Sequence, residues 1–165
     1  MKLMTEKIKL KELVEEAAQV ISPLLNQKKS IRFELEVSPQ VPKSITNDKV
    51  KIKQILVNLL SNAVKFTNEG SISLRVDVDT SDGIVKSLAT PNTMTKDWSN
   101  ASKFVRFSVT DTGIGINSKD FESVFSAFEQ ASLKQDGQVV GGTGLGLNIC
   151  LLLVKLMQGA ISVKR

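Results

Sequence analysis

Apolar residues recur with two distinct periods along the first half of this chain. Leu10, Leu13, Val14, Ala17, Ala18, Ile21, Leu24 and Leu25 fall three and four apart, the spacing of one helical face. Pro23 comes late in that stripe, where its ring removes an amide donor and crowds the preceding turn, so it is expected to kink or end the helix. Ile8 and Leu10, just upstream, suggest a short edge strand. Ile31, Phe33, Leu35 and Val37 alternate with polar residues, as a half-buried strand does, and Pro39 and Pro42 mark the turn after it. Asp48 stands where an N-cap would open a second helix through Val50, Ile52, Ile55, Leu56, Leu59, Leu60 and Ala63. Asn68-Glu69-Gly70 stops that helix.

In the second half, Ile72, Leu74, Val76 and Val78 alternate as a strand, and Phe104 to Val109 forms its partner. The stretch from Asp79 to Ser102 carries Ser, Thr, Asp, Asn, Gly and Pro without a sustained period and reads as a long surface insertion. A short helix is expected from about Ser118 to Phe125, then a mobile loop over Glu129 to Gly142. An apolar helix over Leu145 to Met157 should end at Gly159, before a last strand at Ala160 to Val163. This order predicts an α+β fold, a two-layer α/β sandwich with helices on one face of a mixed, mainly antiparallel sheet.

Composition narrows the partners. A length of 165 residues with 41% apolar content suits one domain with one core. The longest apolar run, Ile149 to Val154, is far short of the ~20 residues a spanning helix needs. The charged N-terminus is not that of a signal peptide, so a cytoplasmic location is expected. Cys150, within an apolar helical pattern, reads as a buried, inert thiol in a reducing compartment. The net charge of +5 comes from scattered lysines, with no tyrosine and one tryptophan to stack on bases. That argues against a nucleic-acid partner and suits the handling of a polyphosphate. The chain contains no histidine.

Three groups of residues carry candidate chemistry. Asn58, Asn62 and Lys65 stand at i, i+4 and i+7 of the second helix, on one stripe beside its apolar face. Aligned amide oxygens and an ammonium suit a hydrated Mg²⁺ and adjoining phosphates, although a polar helix flank would look the same. Asp111-Thr112-Gly113-Ile114-Gly115 follows a strand, where a carboxylate could face an adenine amine while the glycines let backbone approach the ring. Gly141-Gly142-Thr143-Gly144-Leu145-Gly146-Leu147 opens a helix, offering amides and the positive helix end to an anion. No Gly-Lys-Ser/Thr follows, so this is not a Walker A loop.

Taken in order, these groups resemble the motifs of sensor histidine kinases. Asn58 to Thr67 resembles the N box, Asp111 to Ile116 the G1 box, Phe121 to Phe128 the F box, and Gly142 to Leu147 the G2 box. The resemblance runs from about Thr5 to Arg165 and implies the Bergerat ATP-binding fold of the histidine kinase, gyrase and heat-shock chaperone superfamily. It implies ATP and Mg²⁺ as ligands, with Asn62 on the metal, Asn58 supporting it and Lys65 on phosphate. Asp111 would receive the adenine amine, with Gly113, Gly115 and Ile116 along the base. Gly142, Gly144 and Gly146 would hinge a lid and meet the phosphates, with Phe128, Lys134, Thr143 and Leu145 among the nucleotide contacts. For Phe121, Phe125 and Phe128, core packing at helical spacing is the simpler reading.

The resemblance also implies partners and departures. A separate dimerisation domain would carry the acceptor histidine, with a response-regulator receiver domain further along the relay. Without that dimerisation domain this chain is expected to be monomeric. Family lids often carry an arginine before the Gly-Gly-Thr-Gly, where this chain has Gly137-Gln138-Val139-Val140 and leaves Lys134 as lid cation. The family continues into a further strand beyond the position of Arg165. Hydrolysing relatives, and those that phosphorylate serine, place a glutamate four residues before the metal asparagine as general base. Here that residue is Asn58, and an imidazole nucleophile needs no such base. A hydrolytic ATPase and a degenerate nucleotide-binding or docking module remain the alternatives.

Overall fold

The apolar stripes form the elements that their periods require. The computed structural model describes residues 2–79, 103–117, 134–135, 138–139 and 146–164. In chain order these give β1 (Glu6–Lys9), α1 (Leu10–Gln27), β2 (Ile31–Val37), β3 (Ser44–Asn47), α2 (Lys49–Phe66), β4 (Gly70–Asp79), β5 (Phe104–Asp111), β6 (Lys134–Gln135), β7 (Gln138–Val139) and α3 (Gly146–Leu156). The central sheet has the order β2-β4-β5; β2 and β4 run parallel and β4 and β5 antiparallel. The parallel pair requires a crossover, and α2 supplies it. The short pairs β1–β3 and β6–β7 are antiparallel, so the sheet pairings are mixed and mainly antiparallel as the element order predicts.

One cluster joins both layers. Leu10, Leu13, Val14, Ala17 and Ile21 of α1 meet Ile52, Leu56, Leu60, Ala63 and Val64 of α2 over Ile72, Leu74 and Val76 of β4. These residues stop water at the helix–sheet interface, and burying each aliphatic side chain stabilises the fold by about 1.5–3 kcal/mol. α3 adds a smaller cluster, Cys150 and Leu153 against Ile55 of α2.

Several details differ from the sequence-based expectation. α1 does not end at Pro23 but continues to Gln27. A proline this close to the C-terminus costs one helical hydrogen bond, and Leu25 beyond it still packs on the core. Leu24 and Val50 belong to the stripes by spacing yet are 43% and 72% exposed, because the helical faces turn away from the core at those positions. β3 was not foreseen: four residues are too few to show a period, and Ile45 finds its place only by pairing with Ile8. Four residues of the expected mobile loop, Lys134, Gln135, Gln138 and Val139, pair across the β6–β7 ladder.

α3 ends in a Schellman-type turn in which Gln158, at φ 60°, is the left-handed residue rather than Gly159. Its amide donates to Lys155 O at 3.0 Å and that of Gly159 to Val154 O at 2.9 Å. A side chain on Gly159 would approach Val154 Cγ1 to 3.3 Å, which explains the glycine there. Ala160 to Val163 forms no strand; Ile161 instead packs beside Cys150 and Leu153. All of the proposed insertion beyond Asp79 (80–102) and the whole of the proposed helix (118–125) lie outside the described residues.

Candidate functional site

α2 is the element on which the site depends, and it is anchored at both ends from distant parts of the chain. At its start Asp48 Oδ1 accepts the Lys51 amide at 3.1 Å, the N-cap that the sequence predicts. Asp48 Oδ2 takes the Met4 amide at 2.9 Å and the Lys51 ammonium at 2.7 Å. The Lys51 hydrogen bond, and after it the Met4 amide, lower the Asp48 carboxyl to about 2. Along its length, Lys49 and Lys53 bind the two oxygens of Glu16 on α1 at 2.7 and 3.0 Å. The Lys49 hydrogen bond is the main reason the Glu16 carboxyl titrates below its ordinary range.

At the end of α2 an ammonium from α1's C-cap does the anchoring. Lys28 Nζ donates to Val64 O and Thr67 O, both at 2.7 Å, and lies 3.4 Å from Lys65 O and from Asn68 Oδ1. A cation among the last carbonyls of a helix offsets both their unpaired lone pairs and the negative end of the dipole.

Asn58, Asn62 and Lys65 all stand half-buried on α2. Asn58 Nδ2 lies 3.5 Å from Gly146 O, the first residue of α3. A Cβ built on Gly146 would sit 3.9 Å from Asn62 Nδ2. The structure therefore brings Asn58, Asn62 and Gly146 to one place. Asn58 also reaches the Cys150 thiol, whose titration is pushed up chiefly by burial, so the thiol is inert as the sequence reading has it. The Lys65 ammonium lies 5.0 Å from the centroid of the Phe66 ring, within cation–π range.

Asp111, Gly113 and the residues after them form a second arm. Asp111 closes β5 opposite Ile72, which puts it at the sheet end where α2 runs into β4. Its Oδ1 accepts the Gly113 amide at 2.9 Å, and the residue is exposed. Phe66 O accepts the Ile114 amide at 3.2 Å. A Cβ on Gly113 would fall 2.2 Å from that same oxygen, so only glycine permits the approach. Gly115, at φ 71°, needs its conformational freedom as well. Ile116 is half-buried next to it. The Thr112 hydroxyl accepts the Ser71 amide at 3.0 Å and fastens the loop to β4.

Of the other candidates, Phe128, Gly142, Thr143, Gly144 and Leu145 lie outside the described residues. Lys134 is placed by its backbone, paired with Val139. Sequence reasoning missed Lys28 and the carbonyl of Phe66. A lysine after a helix carries no sign that it will reach residues 36 to 40 positions away. Among the described residues there is no cluster of three metal-binding His, Cys, Asp or Glu side chains. A single amide oxygen, as on Asn62, fits a hard cation that keeps waters and shares phosphate oxygens. Among the described residues no helix is long and apolar enough to cross a membrane.

Comparison with known proteins shows the family and the fold. The family described as histidine kinase-, DNA gyrase B-, and HSP90-like ATPase matches residues 47–165. Hybrid signal transduction histidine kinase K of Dictyostelium discoideum is 35% identical over 155 residues, covering 94% of this chain and 12% of that protein. Histidine kinase 5 of Arabidopsis thaliana is 35% identical over 167 residues, 99% of this chain and 18% of the relative. The chain thus spans less than a fifth of the length of either relative. The crystal structure of full-length ShkA in complex with AMPPNP superposes with a TM-score of 0.74 at 30% identity, over 100% of this chain and 29% of that one.

Proposed function

The chain belongs to the histidine kinase-, DNA gyrase B-, and HSP90-like ATPase family, and from that premise we propose that it binds ATP with Mg²⁺ and delivers the γ-phosphoryl group to a histidine on another domain. The adenine amine donates to Asp111 Oδ2, while Gly113, Gly115 and Ile116 lie along the base. Asn62 holds the metal and Lys65 meets phosphate. Gly146, with Gly142, Thr143, Gly144 and Leu145 before it, brings backbone amides to the phosphate oxygens. Phe128 and Lys134 belong to the lid over the nucleotide. When bound, Mg²⁺ offsets phosphate charge as it builds toward transfer.

The observation that carries the choice of acceptor is Asn58. Position 58 is an asparagine, its amide 3.5 Å from the Gly146 carbonyl, so no carboxylate stands four residues before Asn62 to activate water or a hydroxyl. An imidazole is nucleophilic at neutral pH without one. The acceptor is a histidine-bearing dimerisation domain, with a receiver domain downstream, and the relay operates in the cytoplasm.

Titration with ATP, with and without Mg²⁺, tests the reading. Wild type should bind ATP more tightly with Mg²⁺, and Asn62→Ala should lose that gain while holding adenosine nearly as well. An unchanged Mg²⁺ effect in Asn62→Ala would place the metal elsewhere.

A further inference from the structure

The last turn of α2 is held between two partners on opposite sides. Its carbonyls at Val64, Lys65 and Thr67 point to the Lys28 ammonium, whereas the carbonyl between them, at Phe66, points to the Gly113–Ile114 loop. Consecutive carbonyls at a helix end lose their helical donors and splay unless something fixes them. Lys28 fixes three of the four, and its own backbone is fixed in turn. Its amide donates to Leu25 O at 2.9 Å, and its carbonyl accepts the Ile31 amide at 3.0 Å, between the end of α1 and the start of β2.

We propose that Lys28 is a positioning residue for nucleotide binding, which sets the adenine loop by immobilising the α2 terminal turn. The route is short. With the ammonium in place, Phe66 O stays where it can receive the Ile114 amide and where Gly113 fits against it. Gly113 in turn orients the Asp111 carboxylate through the hydrogen bond to Oδ1. Without the ammonium, the carbonyls of Val64 and Thr67 turn toward water, Phe66 O moves with them, and the loop loses its fixed template. Among the described residues, the Lys28 ammonium bonds backbone carbonyls and the Asn68 side chain, not a candidate nucleotide-binding side chain, so it acts on affinity for the base and leaves the metal end to Asn62. The inference rests on the adenine assignment made above.

Lys28→Met keeps the stem and removes the charge. The experiment compares this variant with wild type, and with Ile52→Val as a matched core lesion, well below each melting temperature. Two quantities are read: affinity for ATP and adenosine, and hydrogen exchange of the Ile114 amide without nucleotide. Lys28→Met should lose roughly ten-fold in affinity for both ligands, the loss expected if binding must reorder the freed loop at the cost of about one charged hydrogen bond. The Mg²⁺ gain should stay intact and the Ile114 amide should exchange faster. Ile52→Val should melt earlier with neither change. Wild-type affinity, or an unchanged Ile114 exchange rate, in Lys28→Met overturns the proposal and reduces Lys28 to a stabilising cap. Should Lys28→Met not fold, Lys28→Leu, which likewise has no donor, is read in the same way. Because the exchange measurement uses no nucleotide, its failure is distinct from a failure of the wild type to bind ATP.

Discussion

The amide of Ile114 donates to the carbonyl of Phe66 at 3.2 Å, joining the loop after β5 to the final turn of α2. Two motifs that lie far apart in the chain thus meet through backbone alone. The contact leaves no space for a side chain at Gly113, where a Cβ would come within 2.2 Å of the Phe66 oxygen and 2.8 Å of its carbonyl carbon.

Gly113→Ala and Gly146→Ala should therefore behave differently. The first must push backbone against backbone, an overpacking that typically costs about 1–3 kcal/mol, and should lower both the melting temperature and ATP affinity. The second meets Asn62 Nδ2 at an ordinary 3.9 Å and adds a better helix former to the first turn of α3. Its melting temperature should equal or exceed that of wild type. Thermal unfolding of both variants checks the contrast, and equal loss in the two would show that the Phe66 contact is not what constrains Gly113.

Asp111 should set the choice of base. One of its oxygens is already occupied by the Gly113 amide, so under the proposed function the other would meet the ligand. A carboxylate there accepts from the adenine amine, and guanine would present a second acceptor at the same point. In Asp111→Asn the Gly113 amide still claims the oxygen, which turns the NH₂ outward toward the adenine donor. ATP affinity should fall roughly ten- to a hundred-fold, in line with about 1.5–3 kcal/mol for a charged hydrogen bond, and the preference over GTP should shrink or reverse. Competition binding with ATP and GTP reads both, and equal affinity for the two in wild type would refute the assignment.

Acid should weaken the fold through Asp48. Its carboxyl titrates at about 2 in the folded chain against an ordinary 3.8, so between those values the unfolded chain binds the extra proton. Stability from this group is complete above pH 3.8 and is lost as pH falls toward 2. Glu16, also lowered, acts with the same sign from the ordinary carboxylate range downward. Asp48→Asn keeps an acceptor for the Lys51 amide yet cannot titrate. Urea unfolding at several pH values between 5 and 2 should show a shallower acid slope for Asp48→Asn than for wild type.

How far the sequence reached depended on whether a feature is local. The Asp48 cap, the α2 stripe and the β4 alternation need only residues within one element, and apart from the exposed Val50 each stands as read. Asn58 and Asn62 share a stripe by spacing alone, but their meeting with Gly146 depends on how α3 packs on α2. Lys28 and Phe66 O could not be read at all, because their partners follow from how α1, α2 and β5 come together. β3 and the left-handed Gln158 were missed for the opposite reason: too few residues, or an unusual residue, for a pattern to register.

The isolated chain should hold ATP and do almost nothing with it. It contains no histidine, so it cannot phosphorylate itself on one. Position 58 offers a neutral amide donating toward the Gly146 carbonyl, so no base activates water from that position, and such a base is typically worth about 10²–10⁴-fold in rate. Labelled phosphate should therefore appear on protein only when a histidine-bearing helical domain is added, and it should be lost in acid and kept in base. Lys134 is the cation expected in the lid, and under the proposed function Lys134→Ala should slow transfer more than it weakens adenosine binding. A single time course with γ-labelled ATP, with and without the acceptor domain, separates the possibilities. Rapid release of free phosphate without acceptor would identify a hydrolytic ATPase, and acid-stable label on serine or threonine would identify a different acceptor chemistry.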